Sequence, residues 1–393
     1  MTLPRSSTTI RAGRLLLALA AALVSARASI GAQVVPAPAA APTATASLPD
    51  KLADADYWKL VTEMSEPGGY FRIVDNFTSN EMEVGQLFTM IRQQKVTGGV
   101  FLGVGPEQNL SYIASTRPKM AFLFDIRRQA LLQHQMFKAI FELSPDRADF
   151  ISMLFAKPRP AKLDSTTEIR AMWDAFWYIP TDTALARKNY GRISDLLMKT
   201  HGFAFTPDEA STMKNVYDSF IAYGPTITTN GPQSAGRGGN NANTFADMTG
   251  YSYDSSGLPQ SFLSSEDNYR YLRELHVNNL IVTVTGDFGG PKAIRAVGDY
   301  LKSHGGTVSA FYVSNVEQYL FMDGKEGQFY ANVATLPVTE TSIFIRPYSM
   351  RGFGRGGGSY GTTLSLCPIA GFLRAVRGNR VYTNNDALAC PVM

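Results

Sequence analysis

The segment 99–125 constrains the fold of this chain more than any other. Gly99–Val104 (GVFLGV) is a short apolar run ending in Gly-Val-Gly-Pro. Residues 107–116 have helical spacing, and Met120–Phe124 (MAFLF) is a second apolar run, ending at Asp125. An unbroken apolar run of this length reads as a strand buried on both faces, and such strands belong to parallel sheets covered by helices. Helical spacing resumes over 127–143. Strand, glycine turn, helix, strand, acid and helix, in that order, form the first half of a βαβ nucleotide-binding unit.

A similar unit recurs late in the chain. Asn279–Thr285 (NLIVTVT) is an apolar strand followed by Gly286-Asp287-Phe288-Gly289-Gly290. Then come a helical stretch at 291–304, a strand at Val308–Val313, a turn or helix start at Ser314-Asn315, and a further strand at Thr341–Ile345. Strands alternating with helices predict an α/β, Rossmann-like three-layer sandwich with a mostly parallel sheet. The domain is expected to span 51–393. It opens with helices at 51–66 and 79–94, the second capped by Ser79 or Asn80 with Glu81 and Glu83 in its first turn. An insertion at about 158–270 is helical over 165–177, 182–200 and 207–221. It then becomes loop-like and rich in Gly, Asn, Ser and Thr over 228–260. Gly352–Gly361 is a second glycine-rich segment. Phe137, Phe141, Phe150 and Phe155 are expected in the core.

The first 32 residues have the layout of a secretory signal peptide. Arg5, Arg11 and Arg14 precede the apolar run Leu15–Val24, and small residues follow at Ala26-Arg27-Ala28 or Ile30-Gly31-Ala32. The run is shorter than the roughly 20 residues a membrane span needs. No Arg-Arg pair precedes it, which favours the general secretory route to a periplasmic or extracellular location. Residues 33–50 read as an Ala/Pro linker. In an exported chain Cys367 and Cys390 are free to pair, as a staple of the last segment, or to remain two thiols.

The leader also explains the charge. The chain of 393 residues carries 37 basic and 33 acidic side chains, and four arginines with no acid precede Gln33, so the remainder is neutral. Neutrality removes the argument for a nucleic-acid partner, and no membrane association is expected once the leader is cleaved. Apolar residues at 45% and charged residues at 18% exclude a disordered chain.

In an open α/β sheet, ligands bind beyond the carboxyl ends of the strands, where the strand order reverses. The candidate floor is therefore Gly103, Gly105, Pro106, Glu107, Gln108 and Asn109 after the first strand, and Asp125, Arg127 and Arg128 after the second. Asp287, Gly289, Lys292, Ser314, Asn315 and Glu317 follow the later strands. Gly103 and Gly105 would let the backbone approach a ligand, and the next helix would offer free N–H groups. Asp125 lies 20 residues beyond Gly105, the spacing at which an acid accepts ribose hydroxyls. The alternative is a strand-end turn with an acid that caps the next helix.

Other residues carry weaker readings. His134, on a helix face, is placed to act as a general base or to be satisfied by a neighbour. Lys292 and Arg295 read as an anion site or as solvated charges. The four histidines lack ligand spacing, so no metal is expected. Gly357–Gly361 matches the G-x-S-x-G elbow but sits in a glycine-rich tract, without the strand and helix that the elbow requires.

The stretches VFLGVGPEQN and FLFDIRR, with GDFGG and YVSN on later strands, resemble the core of class I S-adenosylmethionine-dependent methyltransferases. The resemblance implies S-adenosylmethionine as cofactor, with Gly103 and Gly105 on the methionine-binding loop, Glu107 and Asn109 beside them, and Asp125 on the ribose. Asp287 would lie near the methyl acceptor. The Asn/Asp-Pro-Pro-Tyr motif of amino-methylating members is not present. Longer stretches over about 100–160 and 279–321 resemble a family of uncharacterised bacterial proteins with a Rossmann-like core, which implies kinship without an activity. Two functions follow as expectations. One is methyl transfer. The other is a non-catalytic exported module that binds a different small molecule in the same cleft, because S-adenosylmethionine and NAD are made in the cytoplasm.

Overall fold

The computed structural model describes residues 47–71, 76–79, 81, 84–229, 244–350 and 362–392. The leader, most of the linker, the centre of the 228–260 loop and the whole Gly357–Gly361 elbow lie outside the described residues. The described residues belong to one compact unit. No helix among them is long and apolar enough to cross a membrane.

Six strands form one sheet: β1 (Val100–Val104), β2 (Met120–Asp125), β3 (Ile281–Thr285), β4 (Val308–Tyr312), β5 (Val338–Met350) and β6 (Thr362–Pro368). Their order is β3-β2-β1-β4-β5-β6. The first five run parallel, and β6 returns antiparallel to β5. β1, β2 and β3 are buried at every position, as strands covered on both faces must be. The order reverses between β1 and β4, and a cleft is expected at that point.

Before the sheet lie α1 (Asp54–Met64) and α2 (Val84–Gln93). α1 runs along the free edge of β3. Leu52 N–H donates to Asn278 O (3.0 Å) at one end and Glu66 N–H to Thr285 O (2.8 Å) at the other. Among the described residues the second helix begins at Val84, and the expected positions Asn80 and Glu83 lie outside the described residues. Glu81 itself is not helical: it is a buried side chain of the preceding segment. α3 (Gln108–Thr116) follows β1 and ends where Arg117 turns left-handed before Pro118. α4 (Arg128–Leu143) follows β2.

From α4 to β3 the chain makes one long excursion: α5 (Arg147–Phe155), α6 (Ile169–Trp177), α7 (Thr183–Asp195), α8 (Pro207–Tyr223), α9 (Phe245–Gly250) and α10 (Glu266–Val277). The expected helices of the insertion are present, and α10 packs back against α3 and α4 as part of the layer covering the sheet. α8 starts at a capping box of Thr206 and Glu209 with Pro207 in its first turn. Aromatic rings fuse the insertion to the core: Phe220 lies 5.7 Å from Phe137 and Phe245 lies 5.5 Å from Phe155. Phe137, Phe141, Phe150 and Phe155 are all fully buried, as expected.

Arg147 pins the loops of the insertion. Its guanidinium is buried and donates to Glu266 Oε2 (3.0 Å) and to the carbonyls of Leu263, Ser264, Ser165 and Thr167. Removing one partner of such a buried pair costs roughly 3–5 kcal/mol.

The last part of the chain comprises α11 (Ala293–Ser303), α12 (Val316–Asp323), α13 (Glu326–Val333), α14 (Ile369–Arg377) and α15 (Asn384–Leu388). Cys367 and Cys390 form a disulfide that ties the end of the chain to β6. Beside it the buried Arg346 of β5 pairs with Glu317 of α12 and donates to Ala387 O (3.0 Å).

Candidate functional site

A cavity of about 650 Å³ opens at the carboxyl ends of β1, β2, β3 and β4. Val104-Gly105-Pro106, Asp125-Ile126-Arg127, Gly286-Asp287-Phe288 and Tyr312 with Ser314 form its floor, while Tyr319, Met322 and Lys325 line one wall. Gly105, Asp125 and Asp287, expected together from sequence, converge here. Gly103, Glu107, Asn109 and His134 do not line the cavity but stand behind it.

The two glycines differ. Gly105 has φ +79°, and no atom lies within 4 Å of the position its Cβ would take. A side chain there is disfavoured by the backbone, and the surface it exposes is open. At Gly103 a Cβ would lie 1.9 Å from Asn109 Oδ1. Gly103 is thus required by internal packing, not by a ligand. Asn109 is fully buried, and its amide donates to the carbonyls of Val104 (2.9 Å), Gly105 (3.2 Å) and Pro106 (2.8 Å). It braces the loop from below.

His134 braces the same loop. Its Nε2–H donates to Gly105 O (2.8 Å), since a carbonyl can only accept. Burial pushes its basicity down, against the pull of the Gly105 carbonyl. The neutral ring is committed to the backbone and holds the loop in position.

Asp125 is the most informative residue. Its carboxylate accepts from Arg127 N–H (2.8 Å) and Nε (3.1 Å) on one oxygen, and from a guanidinium nitrogen (2.8 Å) on the other. Both side chains are nearly buried, and the guanidinium also lies 5.9 Å over the Phe71 ring. Planar forks of this kind are among the stronger side-chain pairs.

Asp287 is held similarly, by Gly289 N–H (2.9 Å) and Lys325 Nζ (2.8 Å). Of the two readings at Lys292 and Arg295, a site for an external anion is not what the structure shows: the chain supplies its own anion there. Glu66 accepts from Lys292 N–H (2.7 Å), Ala293 N–H (2.9 Å) and Asp287 N–H (3.2 Å) at the start of α11. Lys292 Nζ donates to Ser65 O, and Arg295 Nε to Asn332 Oδ1. Gly290 leaves room for this carboxylate, as a Cβ there would lie 2.3 Å from Glu66 Oε2.

Behind the β4 corner sit two buried carboxyls absent from the sequence reading in this role. Glu107 accepts from Ser79 N–H with both oxygens (3.1 Å each). Burial pushes its carboxyl up to about 8, and neighbouring Glu81 adds to the rise. Glu81 Oε1 accepts from Tyr312 OH and from Ser314 Oγ (3.1 Å). Burial pushes Glu81 up, while those two hydrogen bonds oppose it. Tyr312 ends β4, two places before Ser314, the first residue that strand-end counting selects, and the spacing of Glu81 suggested a helix. Ser314 has φ +46°, an uncommon conformation for a residue with a Cβ.

Among the described residues the insertion supplies Thr229 alone to this lining, bonded to Asn76 Oδ1 (2.8 Å). No group of three or more His, Cys, Asp or Glu side chains among the described residues is arranged to hold a metal.

No curated protein matches the chain. A family model described as a domain of unknown function (DUF7790) matches residues 76–173 and 248–372, more than half of the chain. These residues include β1 to β5 and, among the cleft-lining side chains, Asp125, Arg127, Asp287 and Tyr312. The chain belongs to that family of domains of unknown function.

Proposed function

We propose that this is an exported protein whose cleft binds a small organic molecule without transferring a methyl group to it. The observation that carries the reading is the cleft at the point of strand reversal, with open backbone at Gly105. The leader supports export.

The fit to S-adenosylmethionine is incomplete. The carboxylate that would take the ribose hydroxyls already accepts three N–H groups from Arg127. A nucleoside would have to displace a nearly buried guanidinium. Asn109 fills the space at Gly103.

Methyl transfer remains the second reading, favoured by one observation: five parallel strands in the order 3-2-1-4-5 beside an antiparallel neighbour. Calorimetry with S-adenosylmethionine and its demethylated product separates the two. Our reading expects no saturable heat from either. A one-site isotherm for both compounds, lost in Asp125→Ala, would overturn it in favour of the methyltransferase.

A further inference from the structure

The cavity has one corner whose hydrogen-bond polarity is fixed. Tyr312 and Ser314 line the cavity, and each directs its hydroxyl hydrogen away from it, to Glu81 Oε1. A hydroxyl has one hydrogen and two lone pairs. With the hydrogen committed to Glu81, neither hydroxyl has a hydrogen left to give a ligand at this corner, and each retains lone pairs that can accept.

The charges around the cavity have the same sense. Of the charged side chains that line it, Asp125 pairs with Arg127 and Asp287 with Lys325. Among the described residues Asp323 is the remaining one, an acid that lies near Lys325 as well. Among the described lining residues the acids therefore outnumber the bases by one. The rings of Phe71 and Tyr319, packed edge to face at 5.0 Å, line the same cavity. Aromatic faces attract cations and carry apolar bodies equally well.

From this geometry we infer that the β4 corner of the cleft takes a protonated amine on an aromatic or apolar body, with Tyr312 and Ser314 oxygens accepting its N–H groups. The inference rests on the small-molecule reading above and names the chemistry of its ligand. The left-handed backbone of Ser314 suits it, because strained residues concentrate where a side chain must be aimed.

The test uses three probes of one shape: 2-phenylethylamine, 2-phenylethanol and phenylacetate. Binding is followed by the methyl resonances of Met322 and Leu320, which line the cleft. The amine is expected to bind about tenfold more tightly than the alcohol, as befits a charge-assisted hydrogen bond, and phenylacetate more weakly still. Tyr312→Phe and Ser314→Ala should each erase most of the amine's advantage while leaving the alcohol unchanged. Glu81→Gln should do the same where it folds, and the two milder variants decide the matter where it does not. Phenylacetate binding as well as the amine, or an amine preference that survives both variants, would overturn the inference and leave cleft binding standing. No shift at Met322 or Leu320 with any probe would overturn both.

Discussion

Replacing Gly103 with alanine tests whether the first glycine of the loop serves packing or a ligand. The new Cβ would lie 1.9 Å from Asn109 Oδ1, 3.0 Å from its Cγ and 2.7 Å from Phe101 Cε1, far inside contact distance. Asn109 must move, and it then loses its bonds to the carbonyls of Val104, Gly105 and Pro106. Overpacking costs roughly 1–3 kcal/mol, and each lost hydrogen bond about 1 kcal/mol. Part of the strain is relieved when the amide leaves, so a total of about 3–5 kcal/mol is expected. Against a typical stability of 5–15 kcal/mol, and a urea slope of about 3 kcal/mol/M, the unfolding midpoint should fall by about 1 M or more. The double-mutant cycle with Asn109→Ala sharpens the test. Once the asparagine is gone, Gly103→Ala should add less than about 1.5 kcal/mol, giving a coupling of at least about 1.5 kcal/mol between the sites. A Gly103→Ala protein within about 1 kcal/mol of wild type, or an additive cycle, would refute the reasoning.

Three further outcomes are expected. His201 is held by Asp54 (2.8 Å) and Glu142 (2.9 Å). The Glu142 hydrogen bond is the main force raising its basicity, opposed by burial. Its contribution is thus fully present below the ordinary histidine value of about 6.5 and lost as pH rises through the raised one. Burial pushes Asp54 and Glu142 up, but hydrogen bonds and nearby positive charge outweigh it. Their contribution is present above pH ~4.5 and lost as pH falls through the lowered values. Chemical denaturation across pH should show a decline on the alkaline side that His201→Ala flattens. Reducing the disulfide, or replacing both cysteines with serine, should cost about 3 kcal/mol by loop closure, read by the same denaturation with and without reductant. Glu66→Ala should cost roughly 1–2 kcal/mol, as loss of a helix cap does, and should raise hydrogen exchange at Lys292 and Ala293.

The strands β1 to β4 were legible because each is an apolar run stopped by glycine or a polar residue, a pattern that burial on both faces imposes. β6 was not: its sequence, TTLSLCP, alternates and lacks that continuity. The place of the site followed from the strand ends, so Gly105, Asp125 and Asp287 were found. Their roles did not follow. Whether Asp125 is open or closed depends on the conformation of Arg127, two residues away, which no spacing encodes. Asn109 and His134 carried the right polarity for a ligand but spend it on the loop. Glu66 and Glu81 reach their partners across more than 200 positions, and local periodicity carries no signal at that range.

Crystallographic soaking of a fragment library into the purified protein tests the central claim most directly. The account predicts bound fragments between Gly105, Arg127 and Tyr312, with amines over the Tyr312 and Ser314 oxygens. Fragments gathering instead at the opposite end of the sheet, beside Arg117 and Tyr271, with the cleft left empty, would contradict it.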